Sequence, residues 1–379
     1  LSAALIGLVL ANSPISAPFL DFLHQKVVIE ALSIEITLGH LASDLLLAIF
    51  FLGAGLELKY ELTLGTLSSF RKAAIPVVAA LGGVIVPALV YLSFTFGTSD
   101  AIGWPIPTAT DIAFALGVLA LFGTGMPKQA RIFLLALAIF DDLIAITIIA
   151  IFYTSDLSIE WLGISVLFLG VIWWVEHRRG NKSLWVRVAL GIVLWYFVYR
   201  SGIHPTVAGV ALGLMTPARK AHGFLGQIQK PTNFIVLPIF AITAVAIKLP
   251  EFETGEMNIF LGVFFALTLG KLVGISGAAW LINRLQPREH KLNLGFADFA
   301  AIGLLGGIGF TVSLLMSQLA FRDGGTDYAQ AAFGVLLRAD AACPRRRRDS
   351  PHSHAVALPL SGPGRPGFDR ASVARADRP

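Results

Sequence analysis

The sequence is poor in cysteine and in charge. Cys343 is the only cysteine in 379 residues, which excludes an intrachain disulfide framework and leaves no cysteine spacing for zinc or redox chemistry. Asp, Glu, Lys and Arg together make up 14% of the chain, against ~25% in soluble domains. Hydrophobic residues make up 55%, and mean hydropathy is +0.74. This balance excludes a soluble domain and identifies an integral membrane protein. No cofactor, no nucleic-acid partner and no enzymatic activity is expected of it.

Long apolar runs recur at roughly 42–58, 73–96, 102–123, 130–153, 159–176, 185–200, 203–217, 232–248, 258–283 and 301–321. Several approach the ~20 residues that span a hydrocarbon core. The opening "LSAALIGLVLAN" is shorter and has neither a charged n-region nor a cleavage site. It reads as a first helix whose start is missing, not as a signal peptide.

Charge sets the orientation. If the runs are helices, alternate loops carry Lys59, Arg71 and Lys72; Lys128 and Arg131; Arg178, Arg179, Lys182 and Arg187; Arg219, Lys220 and Lys230; and Arg284, Arg288 and Lys291. The opposite side holds only Lys26, Arg200, Lys248 and Arg322. By the positive-inside rule the first set is cytoplasmic in a multi-pass membrane protein. One basic residue before the tail, Lys271 in "LTLGKLVGIS", belongs to neither set.

The last 42 residues differ in kind. From Arg338 onward there are nine Arg and four Asp but no Lys and no Glu. One reading is a disordered basic tail that binds anionic lipid. The favoured one is a change of reading frame near Leu337, because an Arg/Ala/Pro/Gly mixture without Lys is what a GC-rich gene encodes out of frame. "AAFGVLL" then starts a last helix that stays incomplete, and the chain divides into a transmembrane domain, 1–337, and a tail, 338–379. Resequencing that finds the frame intact removes this expectation.

Four ionisable residues lie clearly within apolar runs, away from their ends: Asp111, Asp141, Asp142 and Lys271. Asp44 lies near the start of a fifth run. A charged side chain at mid-bilayer costs at least ~2.5–3.5 kcal/mol on insertion scales, so each marks a functional site by default. For Asp44 a simple polar tie to a neighbouring helix is an equal reading. For adjacent Asp141 and Asp142 it is not, since like charges at one depth disfavour each other's ionisation and packing does not require them.

Neighbouring helical residues point ~100° apart, so one aspartate can face a cation while the other faces a cavity. The pair then titrates as a coupled system. Lys271 supplies a counter-charge. Such a site holds protons or a small hard cation with oxygen ligands, and competition between the two is exchange chemistry. "WPIPTATDIAFALG" places Pro105 and Pro107 before Thr108, Thr110 and Asp111, and proline removes hydrogen bonds from a helix interior. An unwound stretch is expected there. "GLLGGIGFTVSLLMSQLAF" has the same character, with Gly303, Gly306, Gly307 and Gly309 before Thr311 and Ser313. Two interrupted segments, one per half, point to the inverted repeats of secondary transporters. Close helix packing through small residues is an equal reading of the glycines alone, and the functional one gains beside Asp111.

"TATDIAFALGVLAL", "LALAIFDDLIAI", "GLELKYEL", "IPVVAALGGVIVPALVY", "LGKLVGIS" and "GGIGFTVSLLMSQLAF" together resemble the bacterial NhaA-type Na+/H+ antiporters. The match is nearly colinear from Leu1 to about Leu337. That family is itself a type example of inverted-repeat transporters. The resemblance implies an all-α polytopic fold of about twelve transmembrane helices, with the fourth and eleventh discontinuous and crossing at mid-membrane. It makes Asp142 the principal carboxylate for Na+ or Li+ and for protons. Asp141 becomes its partner, alternating between proton binding and a salt bridge to Lys271.

Thr110 and Asp111 match the broken-helix assembly, and Asp44 matches the second-helix aspartate. Electrogenic exchange is implied, with more protons than Na+ per cycle, serving pH and sodium homeostasis. Family pH regulation implies Glu57 and Glu61, beside Lys59, and His204 as sensing residues. Tyr60, Gly226, Gln227 and Lys230 depart from the family's usual residues, so the resemblance carries the transport chemistry and leaves the pH profile open. "KVVIEALSIEITL" alternates apolar and polar residues and reads as short strands or a hairpin. In the family a hairpin here joins two subunits, so a homodimer in contact with membrane lipid is implied.

Three competitors differ in kind. An intramembrane aspartyl protease needs two carboxylates opposed from different helices, and adjacent Asp141 and Asp142 point apart. A cation channel fits titratable carboxylates beside a buried lysine less well than coupled exchange does. The third is a transport-inactive family product whose last helix is disrupted after Leu337.

Overall fold

A computed structural model describes residues 1–30, 34–65, 67, 70–122, 126–154, 156–178, 184–249, 257–287, 289, 291–322 and 324–341. The tail expected from Arg338 lies outside them beyond Ala341. The helices are α1 (Ser2–Ala11), α2 (Ser16–His24), α3 (Leu38–Thr63), α4 (Phe70–Thr95), α5 (Ile112–Phe122), α6 (Lys128–Phe152), α7 (Ile159–Arg178) and α8 (Leu184–Arg200). They continue with α9 (Thr206–Met215), α10 (Ala218–Pro231), α11 (Leu237–Ala244), α12 (Asn258–Phe265), α13 (Lys271–Leu285), α14 (Phe296–Gly306), α15 (Phe310–Ala320) and α16 (Gly325–Ala341).

The protein is mostly helical and polytopic. Among the described residues five helices are long and apolar enough to cross a membrane, or seven if two bent pairs each count as one span. The bends are 107° between α1 and α2 and 49° between α14 and α15. Hydrophobic side chains cover the outside as well as the core. Leu89, Leu167, Val273 and Leu281 are all exposed, which suits a surface solvated by lipid, where only internally hydrogen-bonded backbone is stable.

Between α2 and α3 the chain leaves the helical pattern. β1 (Lys26–Ile29) and β2 (Ile34–Thr37) pair antiparallel, with Val27 opposite Ile36 and Val28 opposite Glu35. Lys26 and Glu35 close a surface ion pair at 2.7 Å. Its hydrogen bond and charge hold the lysine above its ordinary pKa and the glutamate below. Thr37 then caps α3 by accepting the His40 N–H.

Several basic residues that hydropathy placed in loops sit inside helix ends. Arg187 is the clearest correction: it lies within α8 and is buried. Glu176 of α7 accepts its Nε at 2.8 Å and its Nη2 at 3.1 Å, a bidentate pair that makes burial of both charges tolerable. Two π-turns interrupt the helical rows. The one at Thr232–Val236 follows Pro231, which lacks an N–H for the regular ladder. The other, Ala266–Gly270, ends with the Lys271 N–H bonded five residues back to the Ala266 carbonyl.

Close packing fixes the helices around the site. α3 packs on α9, and α13 on α4 and α14. At Gly209 an added Cβ would run into the Ala48 carbonyl of α3, and backbone cannot move aside cheaply. Gly209→Ala is therefore expected to destabilise the detergent-solubilised protein by about 1–3 kcal/mol, read as a lower melting temperature. An unchanged melting temperature would show that α3 and α9 separate without loss.

Candidate functional site

The interruption expected at the prolines is present. After α4 the chain makes short 3-10 turns at Ser99–Gly103 and Ile106–Thr108, turns extended at Ala109 and enters α5 only at Ile112. α14 and α15 are likewise separated by Gly307, Ile308 and Gly309. The two breaks meet. Asp111 N–H donates to the Ile308 carbonyl at 2.7 Å, and a Cβ on Gly309 would sit 2.5 Å from the Ala109 carbonyl. Only glycine permits that approach.

Asp111 serves two helix starts at once. Its Oδ1 accepts the Phe114 N–H of α5 at 3.1 Å, and its Oδ2 accepts the Thr311 N–H at 3.2 Å and hydroxyl at 2.8 Å in α15. A carboxylate there satisfies orphan amides and opposes the positive ends of both helix dipoles.

Lys271 lies on the other side of the crossing. It is fully buried, at the start of α13 directly after the π-turn. Its ammonium donates to the Thr108 carbonyl at 2.5 Å, to Asp141 Oδ2 at 2.6 Å and to Thr110 Oγ1 at 3.1 Å, which uses all three of its protons. The Thr110 hydroxyl also lies against Asp141 Oδ2 and 2.8 Å from the Gly306 carbonyl. Thr110 therefore ties the broken α14 end to the Asp141–Lys271 pair.

Asp142 is arranged differently. It is 3% exposed, and among the described residues no donor reaches either carboxylate oxygen, nor Asp141 Oδ1. It lines a small cavity with Ala54, Gly55, Glu57, Ile112 and Val210. Asp142 thus lines this cavity with neither oxygen paired to a protein donor, and Asp141 Oδ1, on the adjacent residue, is buried without a donor as well. A small cation or a proton can satisfy them, and few other species can. Among the described residues no three His, Cys, Asp or Glu side chains converge as a metal-binding group. A cation held here takes its remaining ligands from hydroxyl, carbonyl or water oxygens.

The structure thus gathers Thr110, Asp111, Asp141, Asp142 and Lys271, and adds Glu57 on the cavity wall. Asp44 stands apart from the crossing. Its Oδ1 lies 3.4 Å from His204 Nε2, while His204 Nδ1 meets the Thr206 hydroxyl at 2.8 Å. Glu61 is one turn beyond Glu57 in α3, and neighbouring Tyr60 packs its ring against His222 at 5.3 Å. Sequence reasoning missed the Thr108 carbonyl, the Asp44–His204 contact and the π-turn before Lys271. Asp44 and His204 are 160 positions apart and share no local motif. Thr311 was visible as a threonine after glycines, but its partner was not.

Comparison with known proteins gives the family. The sequence model described as Na+/H+ antiporter 1 matches residues 1–343. Na(+)/H(+) antiporter NhaA 2 of Clavibacter michiganensis subsp. michiganensis is 45% identical over 361 residues, covering 90% of this chain and 87% of that protein. Na(+)/H(+) antiporter NhaA of Nocardia farcinica is 42% identical over 355 residues, covering 90% and 85%. Na(+)/H(+) antiporter NhaA of Escherichia coli O139:H28 is 42% identical over 333 residues, covering 84% and 85%. The chain belongs to the Na+/H+ antiporter 1 family.

Proposed function

We propose that this chain is a secondary active transporter that exchanges cytoplasmic Na+ or Li+ for external H+. The observation that carries the reading is Asp142, a buried carboxylate without a protein donor, next to Asp141, which Lys271 holds. Cation and proton compete for the same oxygens, so loading one expels the other. When the pair takes protons, Asp141 gives up its bond to Lys271. When the protons leave, Asp141 regains its salt bridge to Lys271. Moving more than one proton per Na+ makes the exchange electrogenic and couples it to the membrane potential.

The broken crossing serves this cycle by placing freed carbonyls and the Thr110 hydroxyl at the carboxylates, while Asp111 steadies both half-helix starts. We read the crossing as the meeting point of two inverted repeats in a twelve-helix antiporter of the inner membrane, with the Lys/Arg-rich ends cytoplasmic. Glu57, Glu61 and the Asp44–His204 pair are the groups we assign to pH sensing. Glu57 shares the cavity with Asp142, so its charge acts directly on the cation. Intact motif residues and relatives at 42–45% identity argue against a transport-inactive product.

The test is made in everted vesicles from antiporter-deficient cells. Collapse of a respiration-driven ΔpH on adding Na+ or Li+ supports exchange. Cation flux without proton movement would indicate a channel instead.

We further propose a homodimer joined through β1 and β2, whose Val28 and Ile29 are exposed. Replacing both strands by a Gly/Ser linker is expected to convert a dimer to a monomer in light scattering of the solubilised protein. A dimer that survives would place the interface elsewhere.

A further inference from the structure

The end of α14 is held from two sides, and one of them is a further buried cation. Helix ends leave carbonyls that need partners. Here Gly303 O accepts the Gly307 N–H at 3.1 Å, Leu305 O accepts the Ile308 N–H at 3.1 Å, and Ile308 O accepts the Asp111 N–H at 2.7 Å. Gly306 O accepts the Thr110 hydroxyl at 2.8 Å. Leu304 O receives no N–H from the residues that follow it. Its donor is the Arg338 guanidinium of α16, whose Nη2 lies 2.7 Å away.

Arg338 is 5% exposed, and its Nη2 also stands 3.1 Å from the point a Cβ on Gly307 would occupy. Its Nε is buried with no partner, and no carboxylate pairs with it among the described residues. α16 continues four residues beyond Leu337, so this arginine belongs to the packed body. A positive charge at the carbonyl end of a half-helix is the favourable placement for its dipole. The geometry also allows little else. An apolar side chain would leave Leu304 O without this donor beside the break.

We propose that Arg338 is a positioning residue for the ion site: it fixes the α14 end from α16, as Thr110 fixes it from the opposite side. Carbonyls 304 and 306 belong to the same last turn. Thr110, which holds the second, also touches Asp141 and Lys271. Movement of that turn is therefore transmitted to the carboxylate pair through one hydroxyl. The inference rests on the exchange reading for its kinetic readout, but not for its structural one.

Two measurements on the full chain test it. Amide hydrogen exchange of the purified protein reads the backbone bonds of Asp111 and Ile308. Half-saturating Na+ in everted vesicles reads the site. Arg338→Leu is expected to accelerate exchange at both amides and to raise half-saturating Na+ about tenfold, the scale of losing an outer-shell partner. Arg338→Lys, which keeps a charged donor, is expected to restore both, and the neutral Arg338→Gln to fall between them.

Unchanged amide exchange in Arg338→Leu overturns the proposal. So does half-saturation at or below the parent value, or a lysine variant that rescues nothing. If Arg338→Leu does not accumulate in the membrane, the Gln and Lys variants decide by the same order. If the parent chain itself shows no Na+-dependent collapse of ΔpH, the exchange reading falls, and the amide measurement alone decides Arg338.

Discussion

Asp142→Asn is expected to abolish Na+- and Li+-dependent collapse of ΔpH while leaving the amount of protein in the membrane unchanged. Loss of an outer-shell partner alone costs ~10–100-fold in metal affinity, and a ligand carboxylate is expected to cost at least that. The substitution keeps the shape of the side chain, removes its charge and replaces one oxygen by an NH2 group. Because no described donor reaches either Asp142 oxygen, it breaks no hydrogen bond. Its effect on stability is therefore opposite in sign to its effect on transport. An uncompensated buried carboxylate is unfavourable, so Asp142→Asn is expected to melt at or above the parent temperature. Retained exchange in this variant would shift the principal role to Asp141. Lost exchange with a lower melting temperature would show that Asp142 holds the fold together.

The Asp141–Lys271 pair is expected to behave in the opposite way. Lys271→Met removes the donor to Asp141, Thr110 and the Thr108 carbonyl together. Breaking one side of a buried ion pair costs about 3–5 kcal/mol, because the remaining charge has no partner, whereas replacing both sides with apolar groups is often neutral. Thermal unfolding in detergent should show a large loss for Lys271→Met and substantial recovery for the double variant Lys271→Met with Asp141→Leu. The cycle formed with each single variant isolates the coupling. A double variant no more stable than Lys271→Met would mean that the lysine acts through the Thr108 carbonyl, not through the carboxylate. In either case the double variant is expected to be inactive, since the proposed exchange has protons and cation compete at this pair.

Much of this site is legible in the amino-acid sequence alone. Asp141 and Asp142 stand out because a membrane makes charge expensive, so charge in an apolar run has a reason to be there. Lys271 stands out for the same reason, and also because it fits neither side of the charge asymmetry. The break before Asp111 is signalled by Pro105 and Pro107, whose missing N–H groups weaken a helix, although α4 runs unbroken through Pro76 and Pro87. Pairings are not legible in that way. That Thr311 holds Asp111, that His204 meets Asp44, or that Arg187 is buried against Glu176 depends on contacts between residues far apart in sequence. Hydropathy also misplaced the basic residues at the ends of runs, because long cationic side chains lie in helix ends as readily as in loops.

The sequence by itself determined that the chain is a multi-pass membrane protein, which ionisable residues lie at depth, and where two helices must break. The reason is that transfer of charge and of unpaired backbone into hydrocarbon is costly enough to leave a local signature. Only the tertiary structure decided that the two breaks meet and that Lys271 neutralises Asp141 while Asp142 is left facing a cavity. The same holds for Arg338, the first residue of a segment that composition set apart, which closes one carbonyl at the end of α14 as Thr110 closes another. These assignments rest on which hydrogen-bonding groups find each other once the helices pack. A sequence lists donors and acceptors, and packing alone pairs them.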